Sequence, residues 1–333
     1  MSQRLDSSRD VTGIGNAIVD VLAQASDTEL KRLELPKGSM TLIDASAADR
    51  LYAQMAPAVE ISGGSVANSM AGIASLGGSA GYIGKVRADQ LGQVFTHDIR
   101  AAGVEFTTKS GEQCASTARC LILVTPDGQR TMSTYLGACV ELGPEDIDEA
   151  LIARSKVVYL EGYLWDPPRA KEAMLKAANL AHKHGGRVAL SLSDSFCVGR
   201  HREEFNRLIE DHVDILFANE DELLALTETA SFEAALDAMQ GRCEVTVLTR
   251  GAQGAVVLAN DERYAVSAEP VERVVDTTGA GDLFAAGFLY GFTNGYGPGD
   301  AARIGSICAA EIISHVGARP AQSLAALIQA RGI

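Results

Sequence analysis

The chain has 333 residues, a hydrophobic fraction of 47% and a formal net charge of −14 at pH 7. The length fits one large domain, which we assign to residues 1–333, and the composition is ordinary for a soluble globular protein. The acidic balance argues against nonspecific nucleic-acid binding, which needs a basic face, but it permits a phosphate ligand at a helix start.

The segment Met1–Asp10 is polar and lacks the apolar core of a signal peptide. The six cysteines form no C-x-x-C pair and have no zinc-ligand spacing. The apolar stretch Leu283–Phe292 is interrupted by glycines and is too short to span a bilayer. We therefore expect a cytoplasmic protein with no nucleic-acid or membrane partner, either a monomer or a homodimer.

The first part of the chain mixes strand-like and helical segments. The expected strands are Val11–Asp20, Ser39–Ile43, Ala80–Ile83 and Gly103–Phe106, and the expected helices are Thr28–Leu33, Ala45–Ala56, Ser65–Leu76 and Gln90–Ala102. The β-rich segments Ala118–Thr125 and Gln129–Tyr135 follow, joined by Pro126-Asp127-Gly128, which is typical of a hairpin turn. This hairpin predicts a small separate sheet that acts as a lid. We expect the lid to be formed by segments near 17–62 and 110–140.

The rest of the chain alternates between strands and helices. The expected strands are Val157–Leu160, Arg187–Leu192, Ile215–Ala218 and Glu244–Thr249, and the expected helices are Pro168–His182, Glu203–Glu210, Glu220–Leu226 and Phe232–Met239. Antiparallel edge strands should follow Ala252, and then helices Asp282–Phe292 and Ala301–Ser314. Such alternation predicts an α/β fold whose mainly parallel sheet is covered by helices on both faces.

The segment Asp276-Thr277-Thr278-Gly279-Ala280-Gly281-Asp282 combines small residues with an acidic residue at a helix start. Small residues let a ligand approach the backbone, and the free N–H groups of a helix start can hold an anion. Gly279, Ala280 and Gly281 are therefore candidates for an anion hole that stabilises a transferring phosphoryl group. Asp282 is the candidate base that accepts the proton of the attacking hydroxyl; its alternative role is a helix cap.

Four segments in register resemble the ribokinase family, also called the PfkB carbohydrate kinase family. They are Asp276–Asp282, Ser62-Gly63-Gly64-Ser65-Val66-Ala67-Asn68, Asn219-Glu220-Asp221-Glu222 and Thr249-Arg250-Gly251-Ala252-Gln253-Gly254. The resemblance implies a ribokinase-like three-layer α/β/α sandwich with a small β-sheet lid. It also implies an ATP-dependent kinase with a small-molecule acceptor.

The resemblance implies a role for each matching residue. Asn219 and Glu222 would organise Mg²⁺, chiefly through water, although both also suit a helix cap. ATP would contact Thr249, Arg250, Gly251, Gly254, Gly279 and Gly281. A K⁺ site would be formed, largely through carbonyl groups, by Asp276, Thr278, Ile312, His315 and Gly317. Arg130 on the lid hairpin either swings toward the phosphates or is a solvated surface residue.

The acceptor end is also assigned by resemblance. Asp20 would bind two vicinal hydroxyls of a sugar, because a carboxylate can accept two hydrogen bonds at once. Asn16, Gly63, Gly64 and Asn68 would complete this clasp. Several stretches, such as Leu190–Phe196, are more similar to adenosine kinases than to other members, so a purine would lie among Ile18, Leu42, Leu136, Ala138, Tyr163 and Leu164. Leu164 replaces the usual second aromatic, and Trp165 is a candidate to compensate.

Other nucleotide-binding patterns do not fit. Ile18 stands where a Rossmann dehydrogenase needs its third glycine, and Gly84-Lys85 is followed by Val86 where a Walker P-loop needs Ser or Thr. The remaining hypotheses are phosphorylation of adenosine in purine salvage, phosphorylation of a free sugar or another nucleoside, and a catalytically silent binding protein. The intact Asp282 loop disfavours the last of these.

Overall fold

The computed structural model describes residues 8–333, and the rest of the polar segment Met1–Asp10 lies outside the described residues. Most of the expected strands are present. The strands are β1 (Arg9–Ile14), β2 (Ile18–Gln24), β3 (Met40–Leu42), β4 (Val59–Gly63), β5 (Ala80–Ile83), β6 (Glu105–Phe106), β7 (Ala118–Val124), β8 (Arg130–Tyr135), β9 (Ser155–Glu161), β10 (Arg187–Ser191), β11 (Ile215–Asn219), β12 (Val245–Thr249), β13 (Ala255–Ala259) and β14 (Glu262–Val266).

These strands form two sheets. The large sheet has the order β14-β13-β12-β11-β10-β9-β1-β5-β6, and only β12–β13 and β13–β14 pair in antiparallel fashion. The small sheet has the order β3-β8-β7-β2-β4 and comes from the two chain segments predicted to form the lid. The predicted mainly parallel sheet, with antiparallel strands at one edge and a small second sheet, is confirmed.

Helices cover both faces of the large sheet, and the first two in chain order pack on the small sheet. They are α1 (Asp27–Arg32), α2 (Ala45–Tyr52), α3 (Ser65–Ser75), α4 (Gln90–Ala101), α5 (Glu149–Ala153), α6 (Pro168–Lys183), α7 (Ser195–His212), α8 (Glu220–Thr227), α9 (Phe232–Met239), α10 (Ala280–Thr293), α11 (Pro298–Ile312) and α12 (Leu324–Ala330). Residues of α3, α4, α10, α11 and α12 share one buried cluster with the sheet. Residues of α5 to α9 share the other cluster with the opposite face, which completes three layers. No helix within residues 8–333 is long and apolar enough to cross a membrane.

The expectation of one strand over Val11–Asp20 is wrong, because the chain changes sheets inside this segment. β1 ends at Ile14 in the large sheet, and β2 begins at Ile18 in the small sheet. The bend needs a residue without a side chain: a Cβ on Gly15 would lie 2.2 Å from Oε2 of Glu161. Asp20 therefore lies within a strand of the small sheet and not at the end of a strand of the large sheet.

Smaller differences concern which elements are present and where one helix begins. Strand β4 and helices α5 and α12 were not expected from the sequence. Helix α7 begins at Ser195, well before the expected Glu203–Glu210, and has non-helical dihedral angles at His201. The side chain of Asp194 caps its start by accepting a hydrogen bond from the N–H of Cys197. The early start of α7 places Phe196 at the edge of the site.

Candidate active site

A cavity of about 640 Å³ lies between the carboxyl ends of the parallel strands and the small sheet. We call the inner face of the small sheet, with Ile18, Asp20, Leu42, Cys120, Ile122 and Met132, the roof. We call the strand ends and the start of α10, with Glu161, Asn219, Glu222, Thr249 and residues 277–282, the floor. Ligands of open α/β folds bind at the carboxyl ends of the strands, so this cavity is the candidate active site.

The start of α10 has the geometry expected of an anion-binding loop. Gly279 precedes the helix with a φ of 79°, a conformation that favours glycine. Residues 277–282 all line the cavity, where the free N–H groups of the first helical turn can bind a phosphate. The structure thus brings Gly279, Ala280 and Gly281 to the position that the sequence predicted for the anion hole.

Asp282 lies in the first turn of α10 and is held by two neutral donors from α3. The Ser65 hydroxyl donates to its Oδ1 at 2.6 Å, and the Asn68 amide donates to its Oδ2 at 2.9 Å. Burial raises the pKa of the Asp282 carboxyl, and these two hydrogen bonds oppose the rise. The helix-cap alternative is not what the structure shows, because the residue preceding the helix is Gly279. Ser65 belongs to the quoted Gly-Gly segment, yet the sequence did not single it out.

Asp20 reaches the cavity from β2, where two glycines let it approach α3. A Cβ on Gly63 would lie 2.5 Å from the Asp20 carboxyl carbon, and one on Gly64 would lie 2.1 Å from the carbonyl oxygen of Asn16. Gly64 also has a φ of 97°. Burial raises the pKa of Asp20 to about 6, although the guanidinium groups of Arg130 and Arg319 oppose the rise. Asp20, Gly64 and Asn68 line one cavity, as predicted for the acceptor clasp.

Glu161 is a buried residue of this site that the sequence reasoning did not assign. Its carboxylate accepts from the Asn16 amide at 2.7 Å, from the Asn16 N–H at 3.2 Å and from the Val66 N–H at 3.1 Å. Burial raises the pKa of Glu161 to about 7. It therefore joins the end of β9 to the bend before β2 and to the start of α3. An acidic residue that ends an apolar strand was the available signal in the sequence.

The predicted purine pocket is only partly assembled. Ile18, Leu42, Leu136 and Tyr163 line the cavity. Ala138 and Leu164 are fully buried away from it. A 3-10 turn over Gly162–Trp165 explains the difference at Leu164, because it exposes Tyr163 and directs the next side chain into the core.

Trp165 does not compensate for the missing second aromatic residue. Its ring packs on Phe205 with centroids 5.8 Å apart, and its indole N–H donates to Glu204 at 2.7 Å. Phe196 lines the cavity instead and is 80% exposed. The sequence reasoning quoted the stretch that contains Phe196 but did not assign the residue to the pocket.

Asn219 and Glu222 begin α8 and both line the cavity. The Asn219 side chain accepts from the Glu222 N–H, and the Glu222 carboxylate accepts in return from the Asn219 N–H and side-chain amide. The helix-cap alternative is therefore present. Burial raises the pKa of Glu222 to about 7. Amide and carboxylate oxygens that border a water-accessible cavity fit the oxygen preference of Mg²⁺, so the residues suit both roles.

Of the predicted nucleotide loop, only Thr249 lines the cavity among the described residues. Arg250 pairs with Glu220 and stacks on the Phe232 ring at 3.9 Å. Gly254 has a φ of 86°, and a Cβ there would lie 2.0 Å from the Val266 carbonyl oxygen. Gly251 also lies outside this cavity. Arg250 and Gly254 are thus structural parts of the turn that carries Thr249.

Of the residues predicted for K⁺, Thr278 and Gly317 contact the carboxylate of Asp276. Arg130 donates to it at 2.7 Å, and the N–H groups of Thr278 and Gly317 donate at 3.0 Å each. His315 is paired with Glu311, and Ile312 lies inside α11. Because Arg130 is already paired with Asp276, the side chain of Asp276 is not free to bind a cation, and no step is derived through K⁺. The predicted contribution of carbonyl groups to a K⁺ site stays a prediction. Arg130 is 8% exposed, so the surface alternative for it is wrong.

Comparisons with known proteins identify the family. The model described as "pfkB family carbohydrate kinase" matches residues 38–324 of the chain. The chain therefore belongs to the pfkB family, and it is an ATP-dependent kinase with a small-molecule acceptor. The resemblance seen in the sequence motifs is confirmed, and so is the ribokinase-like fold.

Three relatives bear on the acceptor. The crystal structure of adenosine kinase from Sinorhizobium meliloti is 52% identical with a TM-score of 0.90, and the match covers 98% of this chain and 100% of that chain. A probable sugar kinase protein from Rhizobium etli CFN 42 is 51% identical with a TM-score of 0.91, covering 98% and 99%. A 5-dehydro-2-deoxygluconokinase from Geobacillus kaustophilus is 28% identical over 272 residues, covering 76% of this chain and 78% of its own. Their names include a nucleoside kinase and sugar kinases.

Proposed function

We propose that this pfkB-family kinase transfers the γ-phosphate of ATP to the 5′-hydroxyl of adenosine, giving AMP and ADP, as in purine salvage. One observation carries the proposal: a single cavity joins an apolar, aromatic compartment to the carboxylates of Asp20 and Asp282. These features correspond to the parts of a nucleoside, which has a flat base, a vicinal diol and a primary alcohol.

The base would occupy the outer end of the cavity. Tyr163 and Phe196 supply aromatic rings there, and the roof supplies Leu42, Ile122 and Met132. The exposed ring of Phe196 is the strongest sign of a stacking partner, since an apolar ring at a cavity rim gains by covering the face of a purine. A free sugar would leave these surfaces uncovered.

The ribose would lie beneath the roof, with its diol on Asp20. An ionised carboxylate offers two oxygens to two neighbouring hydroxyls, which fixes the ring orientation. Asn68 also has a buried Oδ1 without a hydrogen-bond partner among the described residues, so an acceptor hydroxyl can donate to it. Both contacts would turn the 5′-hydroxyl toward Asp282.

The chemical step would follow from this placement of the acceptor. The hydroxyl donates its proton to Asp282, its oxygen bonds to the γ-phosphorus, and the bond from phosphorus to the β,γ-bridging oxygen breaks to release ADP. The raised pKa of Asp282 makes its carboxylate a stronger base. The N–H groups at the start of α10 would stabilise the charge on the phosphoryl oxygens. Asn219 and Glu222 would hold Mg²⁺ through water, and the ion would neutralise phosphate charge.

Electrostatics disfavour a sugar-acid acceptor, such as the one in the name of the Geobacillus relative. The acceptor end contains the carboxylates of Asp20, Glu161 and Asp282, and a further carboxylate on the substrate would be repelled. Two positive groups nearby, Arg130 and Arg200, are already paired with Asp276 and Asp166. The buried guanidinium of Arg319 directs its hydrogen bonds to Ser62 and Ala67. A neutral sugar or another nucleoside, such as inosine, remains the alternative acceptor.

The test is an ATP-consumption screen of the purified chain against adenosine, inosine, guanosine, ribose, fructose, 2-keto-3-deoxygluconate and 5-dehydro-2-deoxygluconate. We expect adenosine to give the highest kcat/KM, with AMP as the product. An inert adenosine combined with an active free sugar would overturn the proposal. Asp282→Asn serves as the control for contaminating phosphatase or kinase activity.

A further inference from the structure

We infer that Arg319 is a positioning residue for phosphoryl transfer: its guanidinium holds the first turn of α3 in place and keeps a positive charge beside the two cleft carboxylates. Arg319 lies in Gly317-Ala318-Arg319-Pro320, between α11 and α12. No motif in the sequence singles it out. The inference rests on the kinase reaction and holds for any alcohol acceptor.

The hydrogen bonds of Arg319 all reach the segment that carries the Gly-Gly motif. Nε donates to the Ser62 carbonyl at 3.0 Å, Nη2 donates to the Ser62 hydroxyl at 2.8 Å, and Nη1 donates to the Ala67 carbonyl at 2.7 Å. The planar fork of arginine makes such a three-point attachment possible, and a lysine ammonium cannot reproduce its geometry. Arg319 therefore spans Gly63 and Gly64 from the end of β4 to the first turn of α3.

That turn is the one that orients the catalytic carboxylate. Ser65 and Asn68 lie between and beside the two anchored residues, and both donate to Asp282. A second contact fixes the other side of Ser62, whose N–H and hydroxyl donate to Asp98 at 2.8 and 2.5 Å. Removing the guanidinium would release the turn on one side, and small displacements of a catalytic group are costly to the rate.

The positive charge of Arg319 also acts on the two carboxylates of the cleft, Asp20 and Asp282. It lowers the pKa values of Asp20 and Asp282 against the effect of burial. Burial in turn lowers the pKa of the Arg319 guanidinium, but the nearby carboxylates of Asp98, Asp20 and Asp282 oppose this. Arginine remains charged under these conditions, so it acts as a fixed cation.

The ionisable groups coupled to this cation are few. Those around Arg319 are Asp20, Asp98, Tyr82 and Asp282. Those coupled to Asp282 are Arg319, Asp20, Tyr159, Glu161 and Tyr163. Arg319 is the positive group among them that opposes protonation of Asp282, so its loss should make the base harder to ionise.

The test compares Arg319→Gln with Arg319→Lys, using the best acceptor from the screen. Arg319→Gln should lower kcat about tenfold or more and move the acidic limb of the kcat–pH profile up by about one pH unit. Arg319→Lys keeps the charge and should leave that limb near its wild-type position while kcat still falls. Arg303→Gln removes an exposed arginine of α11 and should behave as wild type.

Binding and folding measurements separate this role from simple destabilisation. The KM for ATP should change less than twofold or so in both variants, because Arg319 lies on the acceptor side. If Arg319→Gln unfolds, Arg319→Lys and Ser62→Ala still decide the matter, since each removes part of the attachment. Wild-type kcat in Arg319→Lys and Ser62→Ala, or an unmoved acidic limb in a folded Arg319→Gln, would overturn the inference. An inactive wild type would instead overturn the proposed function.

Discussion

The floor and the roof of the cleft differ in how firmly the surrounding protein holds them. On the floor, Asp282 begins a helix whose residues from Leu283 to Leu289 are buried in the main core. On the roof, the inner face has only a small apolar cluster of its own around Cys120, Ile122 and Val124. Met40 and Leu42 at its edge are half-exposed or more. The proposed base is therefore fixed in the main core. The proposed acceptor residues lie on a sheet whose inner face and edge are less buried, although its outer face adds Val19, Val21 and Leu121 to the same core.

A buried ion pair connects the floor and the roof. Arg130 comes from β8 of the roof, and Asp276 comes from the loop that leads into α10 on the floor. The N–H groups of Thr278 and Gly317 donate to the same carboxylate. The roof is therefore attached to the anion-binding loop that leads into α10. The position of the small sheet and the shape of the phosphate site are thereby coupled.

The largest effect is expected on kcat when Asp282 on the floor is replaced. Asp282→Asn keeps the shape of the side chain but removes the base, so kcat should fall by about a thousandfold or more while ATP and acceptor binding stay nearly unchanged. Steady-state kinetics and isothermal titration calorimetry measure the two quantities. Asp300→Asn, an exposed acidic residue in the first turn of α11, is the matched control. Near-normal turnover in Asp282→Asn would remove the residue from catalysis.

The second largest effect is expected from breaking the ion pair between Arg130 and Asp276, which connects the floor and the roof. Arg130→Met leaves the Asp276 carboxylate buried without its cation, which should lower the free energy of unfolding by about 3 kcal/mol. Urea denaturation measures this loss. Arg263→Met breaks an exposed pair with Asp237 and should cost about 1 kcal/mol or less. Adding Asp276→Asn to Arg130→Met should restore part of the stability, and no restoration would mean that the pair is not the cause.

Replacing Asp20, the roof residue proposed to bind the acceptor, should raise the KM of the acceptor. Asp20→Ala removes both acceptors for the diol, so the KM of the acceptor should rise about a hundredfold while that of ATP changes little. The comparison is made by varying each substrate at saturation of the other. A 5′-alcohol without the vicinal diol should lose the same factor on the wild-type enzyme and little on the variant. Equal increases in both KM values would place Asp20 outside the acceptor site.

The smallest expected effect is at the rim. Phe196→Ala should raise the KM of a nucleoside about tenfold through lost stacking, and it should leave the KM of any free sugar that is turned over unchanged. Tyr296→Ala, which removes another exposed ring, is the control. If nucleoside and sugar kinetics respond alike, Phe196 does not contact the base.

Some of the site could be predicted because local sequence determines it. The glycines and the acidic residue from Gly279 to Asp282 are consecutive in the chain and begin their helix there, and the Asn219–Glu222 pair caps its own helix. The alternation of strands and helices likewise indicated the parallel sheet, because each crossover is a contiguous segment.

Other features of the fold and the site could not be predicted from local sequence. The switch of sheets between Ile14 and Ile18 is hidden in one apolar run, since the same alternation suits either sheet. Tyr163 and Leu164 are neighbours, and only the 3-10 turn decides which of them faces the cavity. Arg250 matched the motif, yet Glu220 and Phe232 hold it elsewhere.

The sequence by itself determined the fold class, the anion loop and the identity of the candidate base, because these depend on periodicity and on contacts within a few residues. Only the tertiary structure showed which groups Glu161, Arg130 and Arg319 contact. Their partners lie between 145 and 257 positions away in the chain, at Asn16, Asp276 and Ser62. Packing of distant segments sets the charge and the hydrogen bonds around a carboxylate, and no local pattern records them.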